Sequence, residues 1–264
     1  MKQTPISHTA QKLTQQPAQS AGPTIAALIL AGGQSQRFGY SDKGLIPFLN
    51  KPMIAHVIER IAPQVSSISI SCNRNSAEYQ STYEDYYRKA DIQPDLVETV
   101  AAPGTAETST TLSLTTAPAC FKDKSESPLQ GPLAGIASFL DYGDSDTIFI
   151  CSCDMPMIPH DIVQQLFSAM SQSGADASYP VDEKGHHHLA LLIKRSAAIN
   201  ALQPLLAVSE VENSPLEQKT KKHSIKNWLN QINTQKILVS SHSIDFADIN
   251  SMAEMALIEQ KTQR

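Results

Sequence analysis

A seven-residue apolar run, IAALILA (25–31), stops at two adjacent glycines, Gly32 and Gly33. A run that short, bounded by Pro23 before it and glycines after it, predicts a strand buried on both faces. Such a strand needs helices above and below it, which commits the chain to a layered α/β architecture. The rest of the sequence keeps the same rhythm. KPMIAHVIERIAPQV sets Met53, Ile54, Val57, Ile58, Ile61 and Val65 at helical spacing. SISISC alternates, so Ile68, Ile70 and Cys72 share one face of a second strand. A tyrosine-bearing helix is expected across 76–89, and a third strand at DLVE (95–98). TIFICS (147–152) predicts a central strand, followed by a helix over 159–170 with Ile162, Val163, Leu166 and Phe167 apolar. LALLIK and KILVS read as later strands, and 196–207 and 251–260 as helices. Strands separated by helices imply parallel crossovers, hence a three-layer α/β fold with a mostly parallel central sheet.

Two stretches break the rhythm. Residues 101–127 are rich in Ser, Thr, Ala and Pro without periodicity and predict a surface insertion, and the polar 209–222 predicts a second loop. Strands of the same type resume after each, so residues 24–264 are expected to form one domain. Residues 1–23 are polar and Gln-rich with no apolar stretch, and are expected to be a disordered extension on a cytoplasmic protein. The longest apolar run falls far short of the roughly 20 residues that span a bilayer. The net charge of -5 argues against a surface built for nucleic acid or anionic membrane, while leaving room for a local basic pocket. Four cysteines, Cys72, Cys120, Cys151 and Cys153, are too few for a disulfide scaffold, and the one-residue gap in CSC does not match redox or zinc spacing.

Chemistry concentrates in three places. In LILAGGQSQRFGYSDKGLIPF (28–48), the glycines let backbone approach a ligand at the carboxyl end of a strand, where open α/β sheets bind. Successive N–H groups there form an anion-binding concavity, and Arg37 and Lys43 add positive charge. The spacing is neither GxGxxG nor GxxxxGK[ST]. In FICSCDMPMIP, Asp154 follows a strand on the same sheet edge and can hold a hard cation such as Mg2+, which favours one or two carboxylates completed by water and substrate phosphates. The competing role is capping of the helix near Pro159, which Asp161 can serve instead. In QGPLAGIASFL, Gly131 and Gly135 flank a turn opening a helix, where a base or ribose can lie against backbone or where the helix simply packs closely.

These motifs, with CNRN (72–75), occur in an order that resembles the molybdenum cofactor guanylyltransferases, within the wider nucleotidyltransferases whose signature is a strand followed by LAGGxSxRMG and DK. The resemblance covers residues 24 to about 200 and is looser beyond. It implies a Rossmann-like domain that transfers GMP from GTP to the molybdopterin cofactor with Mg2+, releasing pyrophosphate. It also implies partners among other molybdenum cofactor biosynthesis proteins and molybdoenzymes. Leu30, Ala31, Gly32 and Gly33 match its GTP-binding loop, Lys43 its lysine, Asn73 its nucleotide-contacting asparagine, and Asp154 its Mg2+ and GTP aspartate. Arg37 matches a basic position expected near the triphosphate, and Lys43, Asp154 and Arg37 carry the expected catalysis.

Departures from the family pattern mark open positions. The family carries a nucleotide-contacting Asp after its third strand. Here LVETVA offers Glu98 and Thr99, with a residue beyond the insertion as the other choice; Thr99 is taken as the GTP-binding position. Phe38 stands where Met is usual. Of the family's paired asparagines on the pterin side, Asn250 remains and Asp248 replaces the other. GHHHLAL falls where the family has His-Pro; since neighbouring strand residues point to opposite faces, its histidines predict a polar pocket rim in preference to a metal site. Alternatives are a molybdopterin cytidylyltransferase or sugar-phosphate nucleotidyltransferase of the same fold, or a non-catalytic cofactor carrier. An Asp-x-Asp glycosyltransferase does not fit Cys153-Asp154-Met155.

Overall fold

Alternate side chains of the first strand feed two different cores. The computed structural model describes residues 24–31, 42–90, 120–123, 129–142, 145–209, 224–239 and 245–262, with the side chains of 207–209 excepted. In β1 (Ile25–Leu30), Ala27 and Ile29 enter one apolar cluster while Ala26 and Leu28 enter another. The same split runs through β4 (Ser67–Ser71), which gives Ile68 and Ile70 to the first cluster, and β6 (Thr147–Ser152), which divides Phe149 and Cys151 from Ile148 and Ile150. Helices α1 (Met53–Ile61), α2 (Ser76–Lys89) and α4 (Ile162–Ser173) cover the first face. Helices α3 (Pro132–Phe139), α5 (Arg195–Ser209) and α6 (Ile225–Leu229) cover the second. The expected three layers are there, and each buried Leu, Ile or Phe in them contributes about 1.5–3 kcal/mol against exposure.

The remaining strands are β2 (Pro47–Phe48), β3 (Lys51–Pro52), β5 (Cys120–Phe121), β7 (Ala177–Asp182), β8 (Gly185–His186), β9 (Ala190–Lys194) and β10 (Thr234–Leu238). β2 and β3 form a separate antiparallel pair. The main sheet runs β10-β7-β9-β6-β1-β4-β5, with β8 paired to β7. The chain moves outward from β1 to β4 and β5, then returns to place β6 on the other side of β1, so β1 and β6 flank the switch in strand order.

Three local readings change. The sheet is mostly parallel, but β9, expected as another parallel strand, runs antiparallel to both β6 and β7. Only seven residues, 183–189, separate Asp182 from Ala190, too few for the dozen or more that a parallel crossover requires, so the chain turns back through β8. β7 itself is not predicted, because Pro180 interrupts it. The proline is tolerated because its nitrogen, which has no hydrogen to donate, faces the same side as its carbonyl, which accepts from His187 N (3.0 Å), where pairing with β9 has already ended at Ser178. Next to β4 the sheet places Cys120–Phe121; residues 95–98, expected as the third strand, lie outside the described residues, as do 1–23 and 101–119.

A third, smaller apolar cluster of Phe48, Met53, Ile249, Met255 and Ile258 joins β2, the start of α1 and the closing helix α7 (Met252–Thr262). It anchors the segment before α7 beneath the carboxyl edge of the sheet. Among the described residues, no helix is long and apolar enough to cross a membrane.

Candidate functional site

Register brings the functional residues to one edge. Leu30 lies beside Ser71 of β4 and Ser152 of β6, so the residues after all three strands emerge together. Two backbone bonds extend the sheet by one step, Ala31 N to Ser71 O (2.8 Å) and Cys153 N to Leu30 O (3.1 Å), and Asp154 stands just beyond. Gly32, Gly33, Arg37 and Thr99 lie outside the described residues.

Where the chain is described again, Asp42 is buried and fixes the start of a 3-10 turn, Lys43–Leu45. Its carboxylate accepts from Tyr79 Oη (2.8 Å) and Asn75 Nδ2 (3.3 Å), both carried by the α2 region. Burial, reinforced by nearby acidic groups, pushes the Tyr79 phenol far above its ordinary pKa, so it remains a proton donor. Gly44 is required by the same packing: a Cβ there would lie 2.7 Å from Tyr79 Oη and 3.2 Å from Cys153 Sγ. Asp42 therefore acts through position, holding Lys43 at the edge.

The Lys43 ammonium bonds to Asp154 Oδ2 and donates to Asn250 Oδ1 (2.7 Å). Both members of the ion pair are largely enclosed, with side-chain exposures of 14% and 16%. Asp154 does not cap α4, whose N-cap is Asp161. The backbone of Asp154 is tied instead to the segment before α7, through Ile249 N to Asp154 O (3.0 Å). Its second oxygen, Oδ1, is buried without a hydrogen-bond partner. A desolvated, unpaired carboxylate oxygen is costly unless something positive meets it, so the residue fits a hard cation. Asp248 is open at its surface, yet loss of water around its carboxyl, reinforced by the Asp154 charge, pushes its pKa up to about 6.

On the other side of β1, Asn73 pairs with a residue the sequence reading left unresolved. Asn73 Nδ2 donates to Asp123 Oδ2 (3.0 Å), Asp123 N donates back to Asn73 Oδ1 (3.0 Å), and Ser71 Oγ donates to Asp123 Oδ1 (2.6 Å). β5 and Asp123 fall inside 101–127, all of which was expected to be a surface insertion, because a two-residue strand shows no periodicity; the acidic residue beside Asn73 therefore lies within that stretch. The available signal is its place in the sequence, eight residues before the Gly131 that opens GPLAG. Gly135 lets α3 settle onto this pair, since a Cβ would lie 2.8 Å from both Leu30 Cδ2 and Ser71 Oγ.

The three histidines do alternate. His186 and His188 gather with Tyr179, ring centroids 5.8 and 5.0 Å away, while His187 stacks on Phe246 at 4.8 Å. Among the described residues, no group of three or more His, Cys, Asp or Glu is arranged to hold a metal ion. All four cysteines are free thiols.

A sheet edge that collects an enclosed lysine, a half-satisfied carboxylate and an Asn-Asp pair around a strand-order switch is a place where an open α/β sheet can bind a ligand, and the family match makes the chain a nucleotidyltransferase. Residues 27–213 match the MobA-like NTP transferase domain, and the chain belongs to that family. It is 33% identical over 172 residues to a molybdenum cofactor guanylyltransferase of Shewanella woodyi, covering 65% of this chain and 70% of that protein. A molybdenum cofactor guanylyltransferase of Yersinia pestis is 28% identical over 239 residues, covering 90% of this chain and 97% of that protein. Among solved structures, molybdopterin-guanine dinucleotide biosynthesis protein A from Archaeoglobus fulgidus shares the fold with a TM-score of 0.58 at 17% identity, over 91% of this chain and 99% of that one. A CMP:2-keto-3-deoxy-manno-octonic acid synthetase complexed with CTP shares it with a TM-score of 0.58 at 13% identity, covering 92% and 99%.

Proposed function

We propose that this chain transfers GMP from GTP to the molybdopterin (molybdenum) cofactor, forming the guanine dinucleotide and releasing pyrophosphate. The observation that carries the reading is Lys43 held between Asp154 and Asn250 at the carboxyl edge of the sheet. The named relatives supply the choice of base and acceptor. A terminal phosphate oxygen of the acceptor attacks the α-phosphorus of GTP, a P–O–P bond forms, and the bond to pyrophosphate breaks. That nucleophile is anionic near neutral pH, so the chain need not supply a strong base. It must hold two anions in line and neutralise the charge that develops as pyrophosphate leaves.

Lys43 is the cation for that task, and Asp42 with Tyr79 and Asn75 fixes where it stands. Asp154 is the residue that would hold Mg2+, which when bound supplies charge neutralisation on the phosphates. Leu30, Ala31, Gly32 and Gly33 offer backbone to the triphosphate, and Arg37 adds charge beside it. Asn73 and Asp123 meet the nucleoside; Asp123 takes the acidic position for which Thr99 was the sequence-based choice. Asn250 lies toward the acceptor. Four free thiols accord with a reducing, cytoplasmic setting, which fractionation of the native cells checks.

Incubation with Mg2+, molybdopterin cofactor and each nucleoside triphosphate separately, with pyrophosphate as readout, tests the whole reading. Release with GTP is expected. Release with CTP alone overturns the base, and release with none overturns the reaction.

A further inference from the structure

The histidine run contains one ring that neither the sequence motifs nor the proposed reaction uses. His187 lies on the opposite face of its hairpin from His186 and His188, with its side chain 13% exposed. Its backbone is pinned on both sides, N to Pro180 O (3.0 Å) and O from Ala190 N (3.0 Å). Its Nε2 stands 2.9 Å from Asp182 Oδ1 but makes no hydrogen bond with it. That oxygen is itself fixed in the turn by Lys184 N (2.8 Å) and Gly185 N (3.1 Å). The ring thus projects from a rigid corner of the sheet.

What it meets is Phe246, stacked at 4.8 Å with an interplanar angle of 23°. Phe246 is 2% exposed and has a φ of 50°, a left-handed conformation that a bulky side chain adopts only where its surroundings enforce it, at a cost of roughly 1–3 kcal/mol. Three residues on, Ile249 is fully buried in the third cluster and bonds to Asp154 O. The next residue, Asn250, holds Lys43. The 245–250 segment is therefore tied down at Phe246 and Ile249, and Asn250 is set by these anchors together with its own N–H bond to Glu254 Oε2 (2.7 Å).

We propose that His187 is a positioning residue: by stacking on Phe246 it holds the 245–250 segment so that Asn250 keeps the Lys43 ammonium on the sheet edge. The consequence for catalysis rests on the proposed guanylyl transfer; the clamp itself does not. His187 touches neither Lys43 nor Asp154 and acts only through Phe246. A merely structural role would lower stability without changing the environment of Lys43.

The test is acetylation of the full chain with acetic anhydride, followed by mass spectrometry of Lys43 against Lys51 and Lys194 as internal references. His187→Ala is expected to raise the relative rate at Lys43 roughly threefold by opening the segment locally. His187→Phe, which keeps a stacking ring, is expected to label like the wild type. Leu229→Ala, a destabilising change in the other core, is expected to leave Lys43 unchanged. Lys43 labelling in His187→Ala no faster than in Leu229→Ala overturns the proposal. Should His187→Ala not fold, Phe246→Leu decides, since it keeps apolar bulk without the ring and must give the same rise. In turnover, His187→Ala is expected to lower kcat about tenfold with the GTP KM little changed. A wild type that releases no pyrophosphate from GTP refutes the activity and leaves the labelling to judge the clamp.

Discussion

Gly44→Ala tests how tightly the lysine is held. The added Cβ would sit 2.7 Å from Tyr79 Oη, 3.0 Å from Tyr79 Cε1 and 3.2 Å from Cys153 Sγ. Tyr79 has no room to retreat, being fully buried and bonded through its hydroxyl to Asp42. Overpacking of this kind costs about 2 kcal/mol, and weakening the bond to a carboxylate adds about 1 kcal/mol, for a total near 3 kcal/mol. Tyr79→Phe alone removes that bond and costs about 1.5 kcal/mol. It also removes the atom that Gly44→Ala strikes first, leaving contacts of 3.0 and 3.2 Å that small shifts relieve. In that background Gly44→Ala should cost only about 1 kcal/mol, a coupling of about 2 kcal/mol. Equilibrium urea unfolding of the four proteins measures it, with the m-value as a check that unfolding remains two-state. Because displacing Lys43 by about 1 Å costs on the order of a hundredfold, Gly44→Ala should lose that much turnover and regain part of it with Tyr79→Phe. Additivity of the two changes within about 0.5 kcal/mol refutes the packing argument.

Further outcomes follow from the same edge. Lys43→Ala or Asp154→Ala should lower GMP transfer by about a hundredfold or more while unfolding cooperatively; normal transfer by both variants would sink the mechanism. Asp123→Ala should free Asn73 and weaken binding of a fluorescent GTP analogue about tenfold, whereas unchanged binding means the pair only ties β4 to β5. Asp248 binds its proton more tightly folded, at about 6, than unfolded, at about 3.9, so in metal-free protein stability falls as pH rises through that interval and stays lower above it. Asp248→Asn should flatten that part of the profile and gain about 1 kcal/mol at neutral pH, a figure reduced for solvent exposure; parallel profiles for the two proteins would contradict it.

Legibility in the sequence followed the length of each apolar signal. TIFICS and the helix over 76–89 have the same limits in the structure as in the sequence reading, because a six-residue buried strand and a fourteen-residue helix each carry enough pattern to fix their ends. β5 is two residues long and shows neither alternation nor a run, so no periodicity argument reaches it. Its pairing with Ile70 and Ser71 is a tertiary fact. The direction of β9 was readable only by counting the connection from β7, and Pro180 hid β7.

The site divides along the same line. Lys43 and Asp154, 111 residues apart, were legible because each follows a strong sequence signal at the carboxyl edge of a long strand. The order of strands then forces them together. Asn250 was named from its resemblance alone, and its contact with Lys43 appears only once Ile249 is buried against α1 and α7. Asp42, the residue before Lys43, faces inward to Tyr79 and Asn75 while Lys43 faces Asp154. Adjacent charges in DKG are thus separated by the turn, which explains how an acid can directly precede the lysine at this edge. An exposed Asp42 would oppose a triphosphate at that edge; a buried one holds the lysine in place.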